Sequence, residues 1–294
     1  MRNRRKRRRE RMLKQLEVPK NQVSFFPRRE ELGYGGSCIV ERVEYNGRNA
    51  AAKIFEVWAQ GSAKKRREAF SKELDTMVKL RSDYTVKAYG VITTLPNRLV
   101  LLMEFMEGGD LRSFLSREAT PLGVDLIFNL ALDVALGMEY LHSMKTIHGD
   151  LKSPNILLTR TNQAKISDFG TAQTLDELTM LATSQGAGMT LKWSAPEILN
   201  GDTMSLESDI YSFGIVLWEI VSRQLPWPQL ELRDIYLVVL CEERRPEIPN
   251  GTPGNLSQLM NMCWATHIMD RPTFSRVITL LREARFQQKD AEMS

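Results

Sequence analysis

Over the first third of the chain apolar residues gather in short runs, and over the remainder they recur at three- and four-residue spacing. The short runs predict strands around Ser24–Phe26, Ile39–Tyr45, Ala50–Phe55, Val86–Thr93 and Leu99–Phe105. One helical pattern, Ser62 to Leu80, interrupts them. Beyond Gly108-Gly109 the period changes: Leu126, Ile127, Leu130, Val134, Met138 and Leu141 share one face of a helix predicted over Leu122–Met144. Two short strands follow, Ile156–Leu158 and Ala164–Ile166, and then a loop rich in Thr, Gly and Met from Asp168 to Ala195. Further helices are predicted near 207–222, 232–241, 255–265 and 274–286, punctuated by prolines from Pro226 to Pro253. The pattern is that of a bilobal α+β chain. A small β-rich lobe with one helix precedes a short glycine-containing connector and a larger, mainly helical lobe. A ligand is expected in the cleft between such lobes.

Composition adds little to that picture except at one end. With 43% hydrophobic and 26% charged residues over 294 positions, the chain has the make-up of an ordinary core-bearing protein. The net charge of +4 conceals an asymmetry. Residues 1–20 carry seven Arg and three Lys against two Glu, a net +8, which leaves the remainder at −4. The expected boundaries are therefore a basic, disordered tail at 1–23, a small lobe at 24–103, a hinge at 104–109, a large lobe at 110–286 and a C-terminal tail at 287–294. Cys38, Cys241 and Cys263 are odd in number and far apart, which points away from a disulfide framework and toward a reducing compartment. The most apolar stretch, Ile210 to Ile220, is too short to span a bilayer and carries Glu219, so it reads as a buried helix.

Several residues invite a chemical reading, each with a plainer one beside it. Gly33-Tyr34-Gly35-Gly36 has the flexibility to fold a backbone closely over phosphates, yet glycine-rich turns are mostly only turns. Lys53 follows three alanines within an apolar strand, where a solvated lysine is the usual occupant. Glu73 lies on the next helix, and its ordinary reading is a surface carboxylate. The stretch His148-Gly149-Asp150-Leu151-Lys152-Ser153-Pro154-Asn155 is of another order. Asp168-Phe169-Gly170 follows it, then Ala195-Pro196-Glu197, Ser208-Asp209-Ile210 and Asp270-Arg271-Pro272. In this order, from about residue 27 to 286, the sequence resembles the protein kinase superfamily.

The resemblance implies a bilobal kinase fold and transfer of the γ-phosphate of ATP to protein hydroxyls. Catalysis of that kind is positioning and charge stabilisation rather than covalent chemistry. It implies that Lys53, paired with Glu73, holds the α- and β-phosphates, under a loop containing Gly33, Gly35 and Gly36. Asp150 would orient the substrate hydroxyl and take its proton, with Lys152 neutralising charge on the γ-phosphate. Asn155 and Asp168 would bind Mg²⁺, whose hard character suits oxygen ligands. Val40, Ala51 and Leu157 would enclose the adenine, main-chain groups near Glu104 and Met106 would bond its edge, and Met103 would limit the pocket behind it. Asp209 would brace the catalytic loop, Glu197 would pair with Arg271, and His148 and Phe169 would stack with Met77. Trp193, Trp218, Trp264 and Cys263 are expected in the core.

Lys152 and Thr190 resemble serine/threonine enzymes. Lys192-Trp193-Ser194-Ala195-Pro196-Glu197 has a tyrosine-kinase flavour, while Met262-Cys263-Trp264 with Arg271-Pro272-Thr273-Phe274 resembles both tyrosine kinases and the tyrosine-kinase-like group. Together they resemble the tyrosine-kinase-like serine/threonine group, in the company of Raf-like and mixed-lineage kinases. Two positions depart from the pattern. Cys38 replaces the third glycine of the loop, and Gly149 stands where the family has the arginine that receives an activation-loop phosphate. A pseudokinase scaffold is the alternative those departures favour, and the intact charged set opposes it. The remaining partners are protein substrates, with no specific nucleic acid expected. For the basic tail, contact with an anionic membrane at the cytoplasmic face weighs equally with a solvated linker.

Overall fold

The computed structural model describes residues 13–28, 30–35, 38–57, 63–117, 122–174 and 189–293 of the chain. It divides into two compact units, one reaching Ser82 and including Val86–Glu107, the other comprising Asp83–Thr85 and the chain from Gly108 onward. The connector expected over 104–109 therefore belongs partly to each.

The first unit is an antiparallel sheet with one helix. Its strands are β1 (Val23–Phe25), β2 (Glu31–Gly35), β3 (Cys38–Tyr45), β4 (Arg48–Glu56), β5 (Ala88–Ile92) and β6 (Arg98–Glu104), in the order β1-β3-β4-β6-β5 with β2 added to β3. The helix α1 spans Ala63–Lys79. Residues paired across a ladder share a face. One face consequently carries Val43, Ala50, Ala52, Ile54, Val100 and Leu102, which form a buried cluster with Ile92. Gly33 and Gly35, expected in a turn, are strand residues paired with Val40 and Cys38.

The expected disordered tail is corrected from residue 13 onward. Residues 13–16 form a helical turn, and Glu17 bridges Val91 at the edge of the sheet. The Val18 N–H bonds the Val91 carbonyl at 2.7 Å, while Glu17 accepts from the Thr93 N–H at 2.8 Å and its hydroxyl at 2.7 Å. Val18 and Val23 are buried members of the same apolar cluster. This strap passes so close to β5 that a Cβ on Gly90 would meet the Leu16 carbonyl oxygen and Val18 Cγ2, each at 2.5 Å. Its basic character ends where its apolar residues begin to be covered. Residues 1–12 lie outside the described residues.

The second unit is mainly helical: α2 (Leu111–Arg117), α3 (Val124–Ser143), α4 (Pro196–Leu199), α5 (Leu206–Ser222), α6 (Leu232–Tyr236), α7 (Gly254–Cys263) and α8 (Phe274–Met293). Three short strands, β10 (Ala164–Ile166), β9 (Ile156–Leu158) and β7 (Gly109–Asp110), form one small sheet. Thr146–Ile147 (β8) pairs with Gln173–Thr174 (β11) in another. The periodic face of α3 is buried as its spacing predicts. Gly137 lets that helix approach, since a Cβ there would meet Ile166 Cγ1 at 2.7 Å and the Tyr84 carbonyl oxygen at 2.9 Å. Helix α5 starts at a reciprocal Ser205–Ser208 capping box and is buried along most of its length. The expected helix at 232–241 is instead α6 followed by a π turn, Leu237–Cys241. The expected tail from 287 is the end of α8. Trp193, Trp218, Trp264 and Cys263 are all buried.

Candidate active site

In the first unit the sheet face opposite the apolar cluster carries the residues singled out by sequence. Val40 pairs with Lys53, Lys53 with Leu101, and Ala51 with Met103, so Val40, Ala51, Lys53 and Met103 lie on one face. Lys53 Nζ meets Glu73 Oε1 at 2.6 Å, with side-chain exposures of 9% and 3%. The plain readings of a solvated lysine and a surface glutamate are thereby excluded. The ammonium also lies 5.9 Å from the centre of the Phe55 ring, which packs edge-on against Phe70 of α1. A buried ion pair is a poor source of stability, because desolvation offsets the attraction. Its value here is a cation held at a fixed place on an otherwise apolar face.

Glu104 ends β6, with its N–H bonded to the Lys87 carbonyl at 2.9 Å. Met106, buried and beyond the strand, has a main-chain N–H and carbonyl that take no hydrogen-bond partner among the described residues. Such a free edge suits a planar heterocycle. Gly36 lies outside the described residues.

The second unit holds the acidic half of the set. His148 follows β8, and its ring is fully buried, 5.7 Å from that of Phe169. Its Nε2 contacts the Ser167 carbonyl oxygen at 3.0 Å, and its Nδ1 accepts the Asp150 N–H at 3.2 Å. His148 is thus a structural residue, as expected. Met77, assigned with this pair to one spine, is buried in the first unit. Asp209, in the first turn of α5, accepts the His148 N–H at 2.8 Å on Oδ2 and the Gly149 N–H at 2.9 Å on Oδ1. His142 Nε2 lies 3.0 Å from the same Oδ2. One carboxylate therefore fixes the start of the catalytic loop through its backbone.

Asp150 is held next. Its Oδ2 takes Asn155 Nδ2 at 2.9 Å and Lys152 Nζ at 2.9 Å. Asn155 Nδ2 also bonds the Asp150 carbonyl at 2.8 Å. The second carboxylate oxygen, Oδ1, is buried and has no hydrogen-bond partner among the described residues. A buried carboxylate oxygen left without a donor is costly and calls for an explanation in what the residue does.

With its amide nitrogen committed to Asp150, Asn155 has Oδ1 as its remaining hard donor. The Asn155 carbonyl accepts both the Ser167 N–H at 2.9 Å and the Ser167 hydroxyl at 2.8 Å, which sets Asp168 beside it. Asp168 has φ +58°, a left-handed backbone that a non-glycine residue keeps only where its surroundings demand it. Two side-chain oxygens suit an ion that takes few protein ligands and completes its shell with phosphates and water. Leu157, half-buried on β9, lies opposite Lys165 and Asp110.

Glu197 and Arg271 form a bidentate pair at 2.6 and 2.9 Å, and Arg271 further bonds the Glu207 and Ala265 carbonyls. Gly149 adopts φ +73°, and a Cβ there would meet Met204 Sδ at 2.5 Å. Lys192, the cation nearest in sequence to Ala195-Pro196-Glu197, donates to the Pro226 and Trp227 carbonyls at 2.9 and 2.7 Å. Burial lowers its pKa. Thr183 and Ser184, and the Thr190 side chain, lie outside the described residues.

Each unit thus carries, by itself, residues that the kinase resemblance assigned to phosphoryl transfer, and comparison with known proteins gives the family. Residues 27–281 match the model of the protein tyrosine and serine/threonine kinase family, and the chain belongs to that family. Among its relatives, a probable serine/threonine-protein kinase of Dictyostelium discoideum is 33% identical over 86% of this chain and 27% of its own length. The serine/threonine-protein kinase CTR1 of Arabidopsis thaliana is 33% identical over 86% of this chain and 31% of its own. The megakaryocyte-associated tyrosine-protein kinase of Mus musculus is 36% identical over 87% of this chain and 48% of its own. That mixture of both kinds is the company of a tyrosine-kinase-like catalytic domain. The chain spans under a third of the length of the first relatives it matches. The family uses ATP and a divalent metal generally.

Proposed function

We propose that this chain is an active protein serine/threonine kinase that uses Mg²⁺ and moves the γ-phosphate of ATP onto protein Ser and Thr hydroxyls. The observation that carries the reading is Asp150, with one oxygen tied to Asn155 and Lys152 and the other buried without a donor. That oxygen would orient the incoming hydroxyl and accept its proton as the bond to phosphorus forms. Lys152, on the other oxygen, would carry positive charge toward the transferring group. Lys53, held by Glu73, would take the α- and β-phosphates, and Val40, Ala51, Met103 and Leu157 would enclose the base. Asn155 and Asp168 would hold the metal, whose chemistry is to neutralise phosphate charge. A pseudokinase would not need this complete and mutually bonded set of charges. Lys152 and the predominance of serine/threonine enzymes among the relatives support the Ser/Thr assignment.

Among the described residues no helix is long and apolar enough to cross a membrane. We place the basic run at residues 1–11 against an anionic cytoplasmic leaflet. Each basic residue near such a surface contributes about 1 kcal/mol, and we assign no nucleic-acid partner. Co-sedimentation with phosphatidylserine vesicles should fall with salt and vanish when residues 1–11 are removed.

The test of the activity is transfer from radiolabelled Mg-ATP to a peptide library, followed by phosphoamino-acid analysis. Labelled phosphoserine and phosphothreonine are expected, with Asp150→Asn slower by about 10²–10⁴-fold. Phosphotyrosine alone would overturn the specificity. ATP binding without transfer would make the chain a scaffold.

A further inference from the structure

Glu219 lies in the interior of α5 and is fully buried, yet the transfer chemistry above makes no use of it. Three separate segments of the second unit donate to its carboxylate. Oε1 accepts from Ser153 Oγ at 2.6 Å and from Arg112 Nη1 at 3.4 Å, and Oε2 accepts from Trp193 Nε1 at 2.7 Å. Burial pushes its pKa up to about 7, against the pull of these donors.

Where the donors sit is what matters. Ser153, itself buried, opens the 3₁₀ turn Ser153–Asn155 and directly follows Lys152. Trp193 closes a second 3₁₀ turn, Met189–Trp193, at the end of the long Asp168–Ala195 segment. Its carbonyl is in turn bonded by Ser212 Oγ of α5 at 2.9 Å. Arg112 of α2 also bonds the Arg223 carbonyl at 2.8 Å, at the end of α5. Asp209 thus anchors the start of the catalytic loop from the beginning of α5, and Glu219 anchors the end of that loop from the last turns of the same helix. Stability alone does not call for such a group, because a well-packed apolar residue in a core serves as well as a buried charge.

We propose that Glu219 is a positioning residue for phosphoryl transfer, coupling Trp193 to Ser153 so that the catalytic loop holds Lys152 and Asn155 against Asp150 only while the Trp193 ring is seated. The inference rests on the reading of this site as a phosphoryl-transfer centre. A carboxylate accepts from both sides at once, whereas an amide presents one acceptor and one donor. Glu219→Gln keeps the shape but must set its NH₂ against either the Trp193 N–H, or the Arg112 guanidinium with Ser153 turned round to accept. Neither the indole nor the guanidinium can accept a hydrogen bond. A shift of the loop on the scale of an ångström lowers turnover by up to about 10²-fold.

The experiment measures kcat, KM for ATP and thermal midpoint for the full chain and for Glu219→Gln, Ser153→Ala, Ser153→Thr and Trp193→Phe, alone and in pairs. Ser153→Ala and Trp193→Phe should each lower kcat about tenfold or more with KM for ATP unchanged, and Ser153→Thr should restore it. In the Glu219→Gln background each change should lower kcat by clearly less than it does in the unaltered chain. Variants that lose thermal stability but keep kcat per folded molecule would overturn the proposal, as would effects that simply multiply in the pairs. An unaltered chain that transfers no phosphate would overturn the functional reading as well; an active chain with multiplying effects overturns the coupling alone.

Discussion

The strap over 13–23 makes a quantitative demand on the first unit. Val18→Ala removes two buried methyl groups from the cluster behind the sheet, each contributing about 0.8 kcal/mol. With a term for the cavity left behind, the loss is about 2 kcal/mol. Gly90→Ala is the sharper perturbation, because one of the two atoms its Cβ would meet at 2.5 Å is the Leu16 backbone oxygen, which has no rotamer to escape into. The strap must then lift. Its lifting gives up the Val18 N–H bond, the two Glu17–Thr93 bonds and the burial of Val18 together, roughly 3–5 kcal/mol in all. For a chain of this size each 1 kcal/mol moves the melting midpoint by about 2–4 °C, so Val18→Ala should cost about 4–8 °C and Gly90→Ala more. Calorimetry measures the midpoint, and hydrogen exchange at the Thr93 amide reports the strap directly. Removing residues 1–23 should lower the midpoint at least as far as Gly90→Ala. Equal melting of the 1–23 deletion and the full chain would refute the reasoning, since the strap would then be an ornament on a fold complete without it.

Glu73→Gln strips the counter-charge from a lysine only 9% exposed, and should cost about 3 kcal/mol of stability and lower kcat/KM for ATP by about tenfold to a hundredfold; unchanged ATP kinetics would contradict the placement of Lys53. Because Gly149 offers no guanidinium and Lys192 is already bound to two carbonyls, phosphatase-treated protein should retain most of its transfer activity, and a strict dependence on phosphorylation, read by radiometric assay, would contradict this. Burial raises the Asp133 pKa to about 6, so the native state favours its protonated form and this contribution to stability is lost as pH rises from about 4 through 6. Asp133→Asn, which keeps an acceptor for the Ala164 N–H, should melt higher than the unaltered chain at pH 7 and equal it near pH 4 in parallel calorimetric scans.

The parts of the fold legible in the sequence are those specified locally. Helix α3 announces itself by a buried face repeated over five turns, and β4 by a run of small and apolar residues. The charged set from Asp150 to Asn155 is legible for the same reason, since a six-residue stretch contains most of its own bonding partners. The strap is not, because its partner strand β5 lies some seventy residues further on and its own apolar residues follow a dense basic run. Helix α2 had a usable signal in Asp110, whose Oδ1 accepts the Ser113 N–H at 2.8 Å in the manner of a cap. The end of α8 had none of the apolar periodicity that marked its start. The extended backbone at Gly33 and Gly35 was not legible, because glycine's freedom says nothing about whether a neighbouring strand will hold it.

The second unit holds two kinds of charge. Asp150 and Lys152 are partly accessible, and Asp150 keeps one buried oxygen without a donor. Asp209, Glu219 and Glu197 meet donors from distant segments of the unit instead: the loop backbone, Ser153 and Trp193, and Arg271. A carboxylate buried in this way tolerates little displacement, since losing a single donor leaves a desolvated charge. Each of the three therefore acts as a tether whose cost of stretching is high. Glu219 shows how such a tether appears in a sequence, as one acidic residue inside the otherwise apolar run from Ile210 to Ile220. Its burial among three donors gives the helix one group that holds both Ser153, after Lys152, and Trp193, at the end of the segment after Asp168.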